Sequence, residues 1–292
     1  MRGKNATMSK HFTARIRFHM TLKIRNVLLQ FFFVFSLLFL GLSIMLFVVS
    51  TGSGRLIPPP TTHRYVTAFR YDFVAMILSL FALIAFVAGT AYFLMRYFNH
   101  NQASEIAYSA LFLVGLLSDS VRVLIVSMNL WQSFTEGLLA LSKIALFGKT
   151  VSVVSLFFVA ITSDVTERKN TDRNLAIIIA VSIFVAMIFP LNTYKIEPTG
   201  MVVIGFKKAY HTTRIVFVLT TFLAFILNSL TKDTNESKTN MLRIAFSYLL
   251  VVTGYFLLSA SDNYPMLVMG TTLFLPGISV FLSSMHKLYL WQ

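Results

Sequence analysis

Apolar residues run through this chain in eight long blocks separated by short polar connections, without the alternation of half-buried strands. About 20 apolar residues rising 1.5 Å each cross a hydrocarbon core about 30 Å thick. By that rule the blocks predict eight membrane-spanning helices, at residues 27–50, 73–95, 106–128, 137–161, 175–191, 215–230, 244–258 and 266–285. The fifth, sixth and seventh are short by this standard. Seven spans is the competing count, and it would move the C-terminus to the other side.

The connections differ in character. Residues 51–72 carry Gly52, Gly54 and Pro58-Pro59-Pro60, a run that favours extended polyproline II. Residues 192–214 contain Pro198-Thr199-Gly200, a turn signal, followed by Met201-Val202-Val203-Ile204. That apolar run reads equally as a short strand or as a segment leaning on the bilayer surface. The connections at 164–174 and 231–243 are short and mixed in charge, and would form a docking surface for a partner protein.

Composition sharpens the class. The chain is 56% hydrophobic and 12% charged, with a mean hydropathy of +0.73; soluble domains carry about 25% charged residues. The expected fold is all-α: a basic N-terminal arm at residues 1–26 and one transmembrane helical domain at 27–292. The arm holds Arg2, Lys4, Lys10, Arg15, Arg17, Lys23 and Arg25 and no acid, which favours a cytoplasmic N-terminus. The first apolar block exceeds the roughly 7–15 residues of a signal-peptide core, so it is expected to stay uncleaved. A mitochondrial presequence is the alternative, and Met20 is a second candidate start of translation. Of the 25 Lys and Arg, fifteen fall on the N-terminal side of the membrane, seven opposite, and Arg122, Lys143 and Lys149 inside spans. Without the arm the comparison is eight against seven, so orientation rests on the first span. Eight spans then put both termini in the cytoplasm, in a plasma or bacterial inner membrane.

The net charge of +14 is spread beside the spans and forms no separate basic domain, which argues against nucleic acid. There is no cysteine, so disulfides and thiolate chemistry are excluded. The six histidines sit in arms, connections or span ends without ligand-like spacing, and neither a Gly-rich phosphate loop nor GxSxG occurs. No cofactor or metal is expected.

The unusual stretch is 106–161, the third and fourth blocks. Asp119 and Arg122 lie in one, and Lys143 and Lys149 in the other. Ionisable groups there cost several kcal/mol unless paired or hydrated. Helix rise puts Arg122 and Lys143 roughly 10 Å below the outer surface, Asp119 at about 15 Å and Lys149 at about 18 Å. Long cationic chains at about 10 Å can snorkel; a short carboxylate at the midplane cannot. Asp119 and Arg122 share a helix face, with Gly115 one turn earlier leaving room for a neighbouring helix. Lys149 shares its face with Ser142 and Ser152. Three readings stand together: an interhelical ion pair that fixes packing, a positive pocket for an anionic small molecule or lipid, and a protonatable carboxylate in a carrier. Pro276-Gly277, near the middle of the last block, predicts a helix kink.

The layout resembles, at the level of fold alone, the multi-span sensory modules of bacterial signalling proteins, and no motif residue is carried over. With no nucleophile–base pair visible, the expected function is non-enzymatic: a membrane-embedded sensing or interaction module with Asp119, Arg122, Lys143 and Lys149 as its polar core. With no output domain after Lys287, another chain would read its signal. The alternative is a small secondary transporter using Asp119 as its coupling carboxylate.

Overall fold

A computed structural model describes residues 22–54, 56, 70–98, 104–132, 136–162, 171–232 and 234–290. Most of the basic arm, Pro58-Pro59-Pro60 and residues 164–170 and 233 of the expected docking surface lie outside them. Among the described residues there are nine α-helices and two short strands: α1 Leu22–Gly52, α2 Phe73–Tyr97, α3 Ser104–Ser120, α4 Arg122–Ser127, α5 Glu136–Ile161, α6 Thr171–Ile188, β1 Leu191–Ile196, β2 Val202–Ile204, α7 Lys207–Leu230, α8 Asn235–Ala260 and α9 Tyr264–Leu290. Counting α3 and α4 as one, eight helices among the described residues are long and apolar enough to cross a membrane. Two of the three short blocks lie within longer helices with polar first turns, α7 of 24 residues and α8 of 26, whereas α6, at 18 residues, starts four residues before its block and ends three residues before it does.

Layering follows from which faces are covered. The apolar windows of α5 and of α3–α4 are 72% and 67% buried, so they form the centre, whereas that of α1 is 11% buried and lies outside. Phe31, Leu38, Met45, Phe184, Met187 and Leu227 are among the exposed large apolar side chains. A continuous apolar exterior of this kind would not be stable in water, and it suggests a multi-pass membrane protein. Sequence also sets the helix starts. Asp72 caps α2 by accepting from Val74 N and Ala75 N at 2.9 and 3.0 Å, and Thr234 caps α8 through Ser237 N.

The third block is not one continuous helix. It breaks at Val121, between α3 and α4. Ser120 Oγ donates to the carbonyls of Leu116 and Leu117, and Arg122 Nε donates to the Asp119 carbonyl at 2.9 Å. These side chains compete with the helix for its own carbonyls, which loosens the ladder at that turn.

The segment 192–214 resolves into a hairpin and the start of α7. Strands β1 and β2 pair antiparallel, with Leu191 opposite Ile204 and Ile196 opposite Val202. The turn between them closes with Gly200 at φ 80°, where a side chain is disfavoured. Met201 and Val202 are 1% and 0% exposed, so the turn and the start of β2 are inserted into the bundle, while Asn192 and Lys195 of β1 stay exposed.

Candidate functional site

The site begins at a close helix crossing. Gly115 of α3 faces Gly148 of α5: a Cβ on Gly148 would lie 2.5 Å from the Asp119 nitrogen and the Gly115 carbonyl. Lacking side chains there, the two backbones touch, and the residues following each glycine are brought together. One turn beyond Gly115 stands Asp119, and next to Gly148 stands Lys149.

Asp119 is fully buried. Its Oδ1 lies 3.0 Å from Arg122 Nε and 3.3 Å from Lys149 Nζ. Its other oxygen, Oδ2, accepts from Ser259 Oγ at 2.6 Å and from Tyr255 Oη at 3.2 Å. Lys149 Nζ also donates to Ser259 Oγ. Four groups from α4, α5 and α8 thus converge on one carboxylate of α3, and the desolvation cost of its charge is offset by two cations and two hydroxyls. Arg122, itself 1% exposed, uses its remaining reach on the hairpin: Nη1 donates to the Thr199 carbonyl at 3.2 Å. The hairpin is seated a second time by Val202 N donating to Ser142 Oγ at 3.2 Å. Glu197 ties its end to α7 through Lys207 at 2.7 Å.

Asp119 and Arg122 are therefore brought together as their spacing predicts, and Lys149 joins them from α5. Lys143 is not. Its Nζ donates to the carbonyls of Ala186, Met187 and Phe189 at 2.7, 3.3 and 2.8 Å, capping the C-terminal end of α6. A cation there meets both the orphan carbonyls and the negative end of the helix dipole. The reason is angular: six residues at about 100° each turn Lys143 roughly 120° away from Lys149, toward a different neighbour. Pro276 and Gly277 also stand apart from Asp119. Helix α9 is continuous through Pro276. Gly277 seats α9 on α8, where a Cβ would meet the Leu250 Cβ and Val251 nitrogen at 2.9 Å.

Three contributors escape the sequence reading. Tyr255 and Ser259 are four apart on α8, one polar face at matching depth, a signal hidden when the span is ended at residue 258. The third is Arg214, counted with an outer connection but lying seven residues inside α7 and 8% exposed. Its guanidinium lies 4.0 Å from the Phe256 ring centroid, 5.6 Å from Tyr210 and 5.9 Å from Tyr255. Tyr255 touches both Arg214 and Asp119, so the cation is one ring away from the carboxylate. Arg214 takes the place that sequence reading assigned to Lys143, and the buried charges still sum to +2 (Arg122, Lys149 and Arg214 against Asp119).

Fold and site together define a class: a helical bundle in which, among the described residues, eight helices are long and apolar enough to cross a membrane, enclosing a buried ion centre of Asp119, Arg122 and Lys149. Comparison with known protein families, with curated proteins and with solved structures finds no match for this chain. Among the described residues no group of three or more His, Asp or Glu side chains could hold a metal ion.

Proposed function

We propose that this chain is a non-enzymatic multi-pass membrane protein that acts as an embedded sensing or interaction module, with the Asp119 centre as its ligand-responsive core. The supporting observation is the charge excess: Arg122 and Lys149 both pair with the single carboxylate of Asp119, and the buried Arg214, packed on Tyr255, has Nε and Nη2 without a hydrogen-bond partner among the described residues. Buried donors left unpaired cost about 1–3 kcal/mol each, so an anionic ligand relieves what the protein itself leaves unsatisfied. The hairpin is the element placed to respond, because Thr199 and Val202 hang on Arg122 and Ser142. The basic arm favours cytoplasmic termini in a plasma or bacterial inner membrane, and the cytoplasmic connections would meet the partner that reads the state of the core.

Reconstitution tests this directly. The purified protein in sealed proteoliposomes should carry no proton-driven flux, and should be recovered with a bound anion or a partner chain. Solute uptake that Asp119→Asn abolishes in a still-folded protein would overturn the reading and make the chain a carrier.

A further inference from the structure

A cavity of about 290 Å³ lies between α1 and α2, at the end where α1 begins and α2 stops. Two polar pairs spaced i, i+4 line it, Asn26 and Gln30 of α1 and Tyr92 and Arg96 of α2. Leu29 and Met95 complete the lining among the described residues. Asn26 comes immediately before the first apolar block and Arg96 immediately after the second, so the cavity straddles the level at which both spans end. Arg25, adjacent and buried, donates from Nη2 to the Phe98 carbonyl at 2.8 Å and to Asn26 Oδ1 at 3.0 Å. Phe98 is the C-cap of α2, so this one guanidinium ties the two helix ends together and orients Asn26. Across the cavity, Arg96 Nη1 donates to Tyr92 Oη at 3.0 Å, and the Tyr92 ring lies 5.9 Å from that of Phe33 on α1. A phenol that accepts from a guanidinium keeps its own proton to donate.

The chemistry of the lining selects the occupant. It offers a guanidinium, a phenol and two amides but no carboxylate, and Arg25 adds a second cation beside it. Such a donor set suits an anion whose oxygens accept hydrogen bonds. At about 30 Å³ per water in the liquid there is room for roughly ten water-sized groups, enough for a phosphate and its ester links. A zwitterionic headgroup would bring an ammonium that no group of the lining meets. Beside the polar pairs, Leu29 and Met95 are apolar, and the neighbouring Val27 and Phe31 of α1 are exposed. A free anion would leave that apolar surface uncovered, whereas a lipid sets its phosphate among the donors and its chains against the hydrocarbon side chains. We propose that the cavity between α1 and α2 binds an anionic phospholipid, its phosphate held by Gln30, Tyr92 and Arg96 and its chains lying along α1 from Leu29. This rests on the membrane reading above and is independent of the Asp119 centre. The apolar window of α1 is 11% buried, the least of the eight, so a lipid bridging α1 and α2 fastens the outermost helix to the bundle.

The test uses the full chain, delipidated in mild detergent. Native mass spectrometry and thermal unfolding are run with added phosphatidylglycerol, phosphatidylcholine or inorganic phosphate. Wild type should retain phosphatidylglycerol adducts and unfold at higher temperature with that lipid alone. Arg96→Gln should weaken the apparent affinity about tenfold or more, the loss of a charge-assisted hydrogen bond. Gln30→Trp, a change at an exposed position that fills the cavity and leaves Arg96 in place, should weaken it likewise, and it decides the matter if Arg96→Gln fails to fold. Arg243→Gln removes an exposed cation from the third turn of α8, at the same side of the bundle by alternation of the helices, and should leave binding unchanged. Equal binding of phosphatidylcholine, equal stabilisation by inorganic phosphate, unaltered lipid binding by a folded Arg96→Gln or Gln30→Trp variant, or an equal loss in Arg243→Gln would overturn the proposal. Carbonate extraction of native membranes separates the two failures: a protein released by carbonate removes the membrane reading, whereas an extraction-resistant protein without lipid selectivity removes the lipid site alone.

Discussion

Replacing Asp119 by Asn and Lys149 by Met breaks the same ion pair from its two ends, yet the losses should be very unequal. Arg122 Nε and Lys149 Nζ both touch Asp119 Oδ1, at 3.0 and 3.3 Å, so the two nitrogens are no more than about 6 Å apart. At an effective dielectric of about 20, each attraction is worth about 5 kcal/mol gross and the cation–cation repulsion about 3 kcal/mol or more. Asp119→Asn removes both attractions and leaves the repulsion. Lys149→Met removes one attraction and the repulsion with it. The gross losses are thus about 10 against about 2 kcal/mol, and hydration scales both down. Removing one partner of a buried pair costs about 3–5 kcal/mol net, so Asp119→Asn should lie at the top of that range and Lys149→Met near about 1 kcal/mol. At about 2 °C per kcal/mol for a chain of this size, Asp119→Asn should unfold about 10 °C below wild type. The double variant should recover part of the loss, because it discards a cation that no longer has a partner. The assay is thermal unfolding in detergent, followed as the surviving monodisperse fraction on size exclusion. Equal losses for the two single variants, or a double variant less stable than Asp119→Asn alone, would refute the charge-excess argument.

Other outcomes follow from the same geometry. Gly148→Ala should cost about 1–3 kcal/mol by overpacking, since its Cβ would meet backbone of α3, whereas Gly41→Ala, with nothing within 4 Å, should be neutral or slightly stabilising in the same unfolding assay. Lys143→Met should cost about 1 kcal/mol and speed amide hydrogen exchange at the end of α6, and its loss should add to that of Asp119→Asn within about 0.5 kcal/mol because the sites share no partner. Strong non-additivity would put Lys143 back in the Asp119 centre. Gly200→Val should unseat the hairpin, because Gly200 has φ 80° and its Cβ would lie 2.9 Å from Val126 Cγ2. The readout is faster exchange at the Val202 amide, and an unchanged rate would argue that the hairpin holds without its turn.

Sequence alone determined the helices and one end of the centre. A block of apolar residues about 20 long has few ways to bury its backbone polar groups except as a helix, so the eight blocks were legible from composition and length. The pair Asp119–Arg122 was legible because its geometry is local, three residues apart on one helix. Gly115 marked where another helix would come close. What approached it was settled only in three dimensions. Both cations on α5 lay within about 5 Å of Asp119 in depth, and helix rotation sent Lys149 to Asp119 and Lys143 to the carbonyls of α6. Tyr255 and Ser259 joined from 136 and 140 residues away. The hairpin turned inward because the Thr199 carbonyl and the Val202 amide found buried partners, a choice between burial and surface that an apolar tetrapeptide leaves open. Arg214 was carried from a presumed loop into the interior because α7 starts earlier than its apolar block does. Periodicity and length act along one helix and can be read in a line; ion pairing between helices depends on rotation and crossing, which tertiary packing decides.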